Sequence, residues 1–177
     1  MHKAEDFLLT PDAGRLVWLG GLGVRFMLDG QQTGGRFALV EHPLKPRALG
    51  SPMHTHSQED EYSFVLEGTV GVQIDDTELL ATPGMLIVKP RGLPHAFWNA
   101  GDAPARLLEL ISPAGFEEYF ARMAELFASG VPDPTRGEAI RQRHGLELDL
   151  ASIPLLVARH GLADPTRDTT PGATDLS

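Results

Sequence analysis

From Arg15 to about Ser112 the apolar residues fall in short runs cut by turn residues, and no helical hydrophobic period persists across that stretch. Runs at this spacing fit the strands of an all-β sandwich or barrel. The expected strands are Leu16–Trp18, Val24–Leu28, Gly35–Glu41, Met53–His56, Tyr62–Glu67, Thr69–Ile74, Thr77–Ala81, Met85–Lys89, His95–Asn99 and Arg106–Ile111. Asp29-Gly30, Glu67-Gly68, Asp75-Asp76, Pro83-Gly84 and Ala100-Gly101-Asp102 read as turns between them. The 19 Gly and 14 Pro of the chain suit many turns between short elements and stay below the proportion typical of disordered chains.

Beyond Ser112-Pro113 the period changes. Phe116, Tyr119, Phe120, Met123 and Phe127 recur at spacings of three and four, the stripe of an amphipathic helix. That stripe is expected to pack against the outside of the β-domain rather than to serve a ligand. Two shorter helices are expected around Arg136–Arg143 and Leu150–Arg159, each followed by Arg-His-Gly-Leu, which places His144 and His160 at helix C-termini. The expected organisation is a β-domain with its N-terminal strands over 1–112, a helical extension over 113–162 and a flexible tail over 163–177.

The 177 residues suit one domain, and 42% hydrophobic with 22% charged residues is enough to bury a core. A formal charge of −9 without a Lys/Arg cluster opposes the phosphate contacts of nucleic-acid proteins and docking on anionic lipid. No apolar run reaches the roughly 18 residues of a spanning helix, and Met1-His2-Lys3-Ala4-Glu5-Asp6 carries acids where a secretory signal would carry bases, so a cytoplasmic location is expected. The absence of Cys removes thiolate nucleophiles and sulfur-ligated metal sites, leaving His and carboxylate as ligands.

Those residue types cluster in two segments. His54 and His56 are two apart, so on a strand both imidazoles leave the same face, and neutral imidazole is the commonest protein metal ligand. Glu61 opens the next apolar run, where a bend can bring it beside them; with a shifted register Glu59 or Asp60 would take its place. Downstream an apolar strand ends in Pro90-Arg91-Gly92, and His95 starts the next strand as the natural fourth ligand. Three imidazoles and one carboxylate suit one divalent transition metal, Fe, Mn, Ni, Co or Zn, and leave positions open for a substrate. If Glu61 and His95 point inward, alternation turns Ser63, Val65 and Phe97 inward as pocket residues, and Met53 is counted with them. Asn99 shares that phase but is expected to hold a turn, whereas Tyr62, Phe64 and Trp98 face outward. Lys89 and Arg91 flank the turn as exposed charges, and no inward Lys or Arg is expected near the metal.

His54-x-His56-x4-Glu61-x6-Gly68 and Gly84-x5-Pro90-x-Gly92-x2-His95-x3-Asn99 resemble the two signature motifs of the cupin superfamily. One departure is Ala48, where the family has its opening glycine, with Gly50 two residues later. The resemblance implies a double-stranded β-helix, a jelly-roll barrel over about residues 35–112, with the metal on His54, His56, Glu61 and His95. Thr33-Gly-Gly, Glu41-His42, the two motifs and Ser112-Pro-Ala-Gly-Phe-Glu-Glu-Tyr-Phe120 together resemble the single-domain quercetinase-like cupins over roughly residues 15–130. That resemblance implies a metal-dependent dioxygenase acting with dioxygen on a flavonol-like or other small aromatic or enolic substrate, with Glu61 as ligand and catalytic base. The alternatives are a metal-dependent isomerase or epimerase of a sugar or keto acid and a non-catalytic small-molecule-binding cupin. A homodimer is expected, because barrels of this family pair through N-terminal strands and Phe7-Leu8-Leu9 and Leu16-Val17-Trp18 add apolar material there.

Overall fold

A computed structural model describes residues 7–128, 130 and 133–163. Its strands are β1 (Leu16–Leu19), β2 (Leu22–Leu28), β3 (Ala38–Leu44), β4 (Leu49–His56), β5 (Asp60–Glu67), β6 (Val70–Ile74), β7 (Thr77–Ala81), β8 (Leu86–Lys89), β9 (His95–Asn99), β10 (Ala105–Ser112) and β11 (Leu146–Leu148). The helices are α1 (Gly30–Thr33), α2 (Glu117–Ala128), α3 (Pro134–Arg143) and α4 (Ser152–His160). All pairings are antiparallel, in a six-stranded sheet of order β1-β2-β3-β10-β5-β8 and a five-stranded sheet of order β11-β4-β9-β6-β7. The fold is the expected cupin double-stranded β-helix, and its main core lies between the two sheets, with Val24, Val40, Val65 and Leu107 from one against Val70, Val72 and Phe97 from the other.

Strand period and pairing register together stack the inward side chains of the larger sheet in layers. One row runs His42, Leu107, Val65; the next runs Val40, Glu109, Ser63, Ile87; a third runs Ala38, Ile111, Glu61, Lys89. The outward positions of β8 and its neighbour leave Phe64, Leu86 and Val88 exposed, and Phe7 and Leu8 are exposed as well.

Several local expectations shift. Asp29-Gly30 opens α1 instead of a simple turn, because Asp29 and Gln32 form a reciprocal capping box that closes one helical turn. β3 accordingly starts at Ala38 rather than Gly35. β4 extends back to Leu49, past the expected start at Met53. Gly50 has no room for a side chain, since a Cβ there would come within 2.4 Å of the Phe97 ring. β11, too short to leave a periodic signal, pairs Leu146 with His56 and Leu148 with His54 and so adds the C-terminal extension to the edge of β4.

Glu117 anchors α2: one carboxylate oxygen accepts from the Gly30 N–H at 2.9 Å and the other from the Gly115 N–H at 2.6 Å. α4 lies on the outer face of the smaller sheet, where Leu156 and Leu162 pack with Leu49, Ala96 and Trp98 and the Trp98 ring stacks on His160 at 4.1 Å. Ala163, the first residue of the expected tail, donates its N–H to the Arg47 carbonyl at 2.8 Å, and positions 164–177 lie outside the described residues. Among the described residues no helix is long and apolar enough to cross a membrane. The Trp98 packing makes a testable demand on its neighbour, since a Cβ at Gly71 would fall 2.2 Å from the indole. Gly71→Ala is expected to lower stability by about 1–3 kcal/mol, read as a drop of several degrees in melting temperature.

Candidate metal centre

β4 carries His54 and His56 on one face, β9 pairs His95 opposite His54, and β5 supplies Glu61. All four side chains are buried, and one donor atom from each can be chosen so that all lie within 4.8 Å of one another. The His54 ring is 4.2 Å from His95 and 4.9 Å from His56. Glu61, rather than Glu59 or Asp60, is the carboxylate of the cluster. Asp60 turns outward to Arg91 at 2.7 Å, and Glu59 stands 3.7 Å from Nδ1 of His56.

The orientation of the imidazoles suits a metal. Nδ1–H of His54 donates to the Pro52 carbonyl at 2.9 Å and Nδ1–H of His95 to the Leu93 carbonyl at 3.0 Å. A carbonyl only accepts, so both rings carry their proton on Nδ1 and turn a lone pair on Nε2 toward the cluster. His56 is 1% exposed, yet neither of its nitrogens has a hydrogen-bond partner among the described residues. A buried imidazole in that state is costly unless a further ligand satisfies it. Burial, followed by the neighbouring imidazoles, holds His54 well below its ordinary pKa, and burial also lowers His95, so both favour the neutral form that ligates.

Lys89 overturns the expectation of an outer, exposed cation. On β8, Ile87 and Lys89 both point inward, and Nζ lies 2.8 Å from Glu61 and 2.7 Å from Glu109. Burial opposes the charge of Lys89, but the two carboxylates outweigh it and raise its pKa. Burial likewise opposes ionisation of Glu61, and Lys89, His56 and His95 together prevail to hold its carboxyl well below the usual range. Glu109 is lifted to about 7, by burial first and the charge of Glu61 next, against Lys89 and Ser63. Sequence alternation contained this signal: Ile87 inward implies Lys89 inward, and Leu107 and Ile111 inward imply Glu109 between them.

A cavity of about 260 Å³ opens onto the cluster. Phe97, Lys89, Glu109 and His42 line it from the sheets, and Phe116, Tyr119, Phe120, Met123 and Phe127 line it from α2 and the segment before it. The helical stripe expected on the outside of the barrel therefore closes the cavity, because Glu117 ties the start of the helix to α1. The other expected pocket residues lie elsewhere. Ser63 is inward, but its hydroxyl donates to Glu109 at 2.8 Å within the buried network, and Val65 is part of the main core. Met53 packs with Leu49, Trp98 and Leu156 in the layer beneath α4, because the parity that turns His54 and His56 inward turns it outward. Asn99 holds the turn after β9, its amide donating to Lys45 and Ala103 carbonyls and its oxygen accepting from the Gly101 N–H.

Residues 41–111 match the cupin domain family. The matched stretch includes His54, His56, Glu61 and His95. Over 90 residues the chain is 34% identical to germin-like protein 1-1 of Oryza sativa subsp. japonica, covering 48% of this chain and 41% of that protein. Over 50 residues it is 40% identical to the oxidoreductase iacF of Pestalotiopsis fici, covering 28% of this chain and 24% of that protein. The chain thus spans less than half the length of these curated relatives. A solved sugar phosphate isomerase of the cupin superfamily from Silicibacter pomeroyi superposes with a TM-score of 0.51 at 28% identity, over 59% of this chain and 74% of that one. Among the described residues, His54, His56, Glu61 and His95 could hold a metal ion.

Two measurements check this electrostatic picture. Lys89→Met leaves two buried carboxylates without their cation and is expected to cost about 3–5 kcal/mol in metal-free protein, with part recovered by adding Glu109→Gln, measured by urea unfolding. His42 falls from 6.5 to about 4, chiefly through burial. Between those values the unfolded chain takes up a proton that the folded chain refuses, so the His42 contribution is complete above pH 6.5 and lost as pH falls toward 4. Removing this imidazole in His42→Phe is expected to flatten the acid limb of the stability–pH curve by about 1.4 kcal/mol per pH unit.

Proposed function

We propose that this cupin is a mononuclear metal-dependent dioxygenase acting on a small aromatic or enolic substrate of the flavonol kind. The observation that carries the proposal is the aromatic wall of Phe97, Phe116, Tyr119 and Phe120 facing the three-histidine, one-glutamate cluster. Such a wall suits a planar apolar molecule. The cations that line the cavity argue against a phosphorylated sugar, since Lys89 is committed to Glu61 and Glu109 and Arg141 to Glu138 at 2.6 Å. The similarity over 50 residues to the oxidoreductase of Pestalotiopsis fici points the same way.

In this reading the metal supplies a Lewis-acidic centre that favours the ionised form of a substrate oxygen. Glu61, kept ionised by Lys89, would be one of the residues holding the metal and would take the phenolic proton on its carboxylate. Phe97 and the α2 aromatics orient the ring, and α2 excludes bulk water from the reacting end.

A second reading, an isomerase or epimerase of a keto acid or sugar, draws on the Lys89–Glu109 pair beside Glu61 as proton-handling groups and on the sugar phosphate isomerase similarity. Oxygen separates the two. Protein stripped and reloaded separately with Fe, Mn, Co and Ni is expected to consume oxygen with quercetin in a metal-dependent way. His54→Ala is expected to abolish uptake and Glu61→Gln to lower it about 100-fold or more while the fold is kept. Full activity in Glu61→Gln would remove that residue from the mechanism. No uptake from protein holding one metal per chain would discard quercetin, and turnover without oxygen would favour the isomerase.

A further inference from the structure

His42 is 2% exposed, lies on β3 and lines the cavity, but it is not one of the four clustered metal-ligand candidates. Its Nδ1–H donates to the Gly23 carbonyl at 2.9 Å, which fixes the tautomer and leaves Nε2 with a lone pair. The hydrogen bond of the ring to the described residues is the one through Nδ1. Burial keeps the ring neutral, so Nε2 acts as an acceptor only.

The place of this acceptor in the cavity is set by two chains of contact leading from the metal cluster. On one side His56 meets Phe116 at 4.3 Å, Phe116 meets Phe120 at 5.2 Å, and Phe120 meets His42 at 5.3 Å between ring centroids. On the other, Glu61 meets Lys89 at 2.8 Å, Lys89 stands 5.1 Å over Phe97, and Phe97 is 6.1 Å from His42. Glu61 and His56, 3.4 Å apart, close the circuit. His42 is thus a polar cavity residue linked to the metal ligands through intervening rings, and it stands in a different layer of the larger sheet from Glu61. In a wall that lines the cavity, its Nε2 can take a donor from a bound molecule, which an apolar side chain in the same place could not.

We propose that His42 determines specificity by accepting, through Nε2, a hydrogen bond from a hydroxyl or N–H group on the end of the aromatic substrate remote from the metal. The proposal rests on the reading of the cavity as an aromatic-substrate site and adds the class of substituent it selects. A neutral acceptor favours a neutral donor and disfavours a carboxylate or phosphate at that end, because lone pair would face lone pair. A buried polar group left unpaired is also the device by which sites reject analogues that lack the matching donor.

The test uses zinc-loaded protein carrying ¹⁵N-histidine, with phenol as the donor probe and toluene as its donorless counterpart. Phenol is expected to move the His42 Nε2 resonance upfield and toluene to leave it in place, in the wild-type chain and without any turnover. His42→Phe is expected to weaken phenol binding about three- to tenfold and to leave toluene binding within about twofold. His42→Gln, whose amide oxygen can accept, is expected to recover part of the loss. Phenol bound with the Nε2 resonance unmoved, equal losses for phenol and toluene in His42→Phe, or no phenol binding would each overturn the proposal. Absence of oxygen uptake with flavonols, while phenol still moves the resonance, would strike the dioxygenase reading alone.

Discussion

The carboxylate of Glu61 is buried between two sheets, and the structure around it is arranged so that it can stay charged there. Isolated in an apolar interior the group would take up a proton, since desolvation of an ion costs more than the fold can supply. Lys89 stands 2.8 Å away, and its own charge is balanced by Glu109, which is held in turn by Ser63. Three histidines complete the surroundings, two of them held by main-chain carbonyls so that they present lone pairs and not protons. An ionised carboxylate facing unprotonated nitrogens is a site made for a cation.

That constraint reaches into the fold. Glu61, Lys89, Ser63 and Glu109 occupy adjoining layers of one sheet, so a slip of one residue in β5, β8 or β10 would turn a member of the network outward and strand the rest. The metal-side strand β4 is enclosed by β9 on one edge and by β11 on the other, which the C-terminal extension contributes. The extension therefore belongs to the site as much as the barrel does: α2 walls the cavity, β11 flanks the histidines, and α4 covers the outer face beneath which Trp98 is buried.

The ligands were legible because strand geometry is local. A spacing of two puts His54 and His56 on one face whatever the rest of the chain does, and Glu61 and His95 open apolar runs whose parity is readable. Parity also contained Lys89 and Glu109, but a charged side chain at an inward position reads as an exposed one unless its partner is known, and that partner lies on another strand. Met53 was misplaced for a simpler reason: its neighbour His54 points inward, so Met53 points to α4. β11 and α1 left no periodic signal, since each is shorter than two periods of its own pattern.

The sequence by itself determined the donor set, the all-β barrel with its trailing helices, and the exclusion of sulfur chemistry, since these follow from residue identity and from periods of two and near four. Tertiary structure alone decided what surrounds the donors. It made the aromatic stripe that packs on the β-domain the wall of the cavity as well, joined Lys89 to carboxylates 28 and 20 residues away along the chain, and set His42 beside Phe97 and Phe120. Those arrangements depend on how two sheets and a helix close on one another, and no local period encodes contacts between elements distant in sequence.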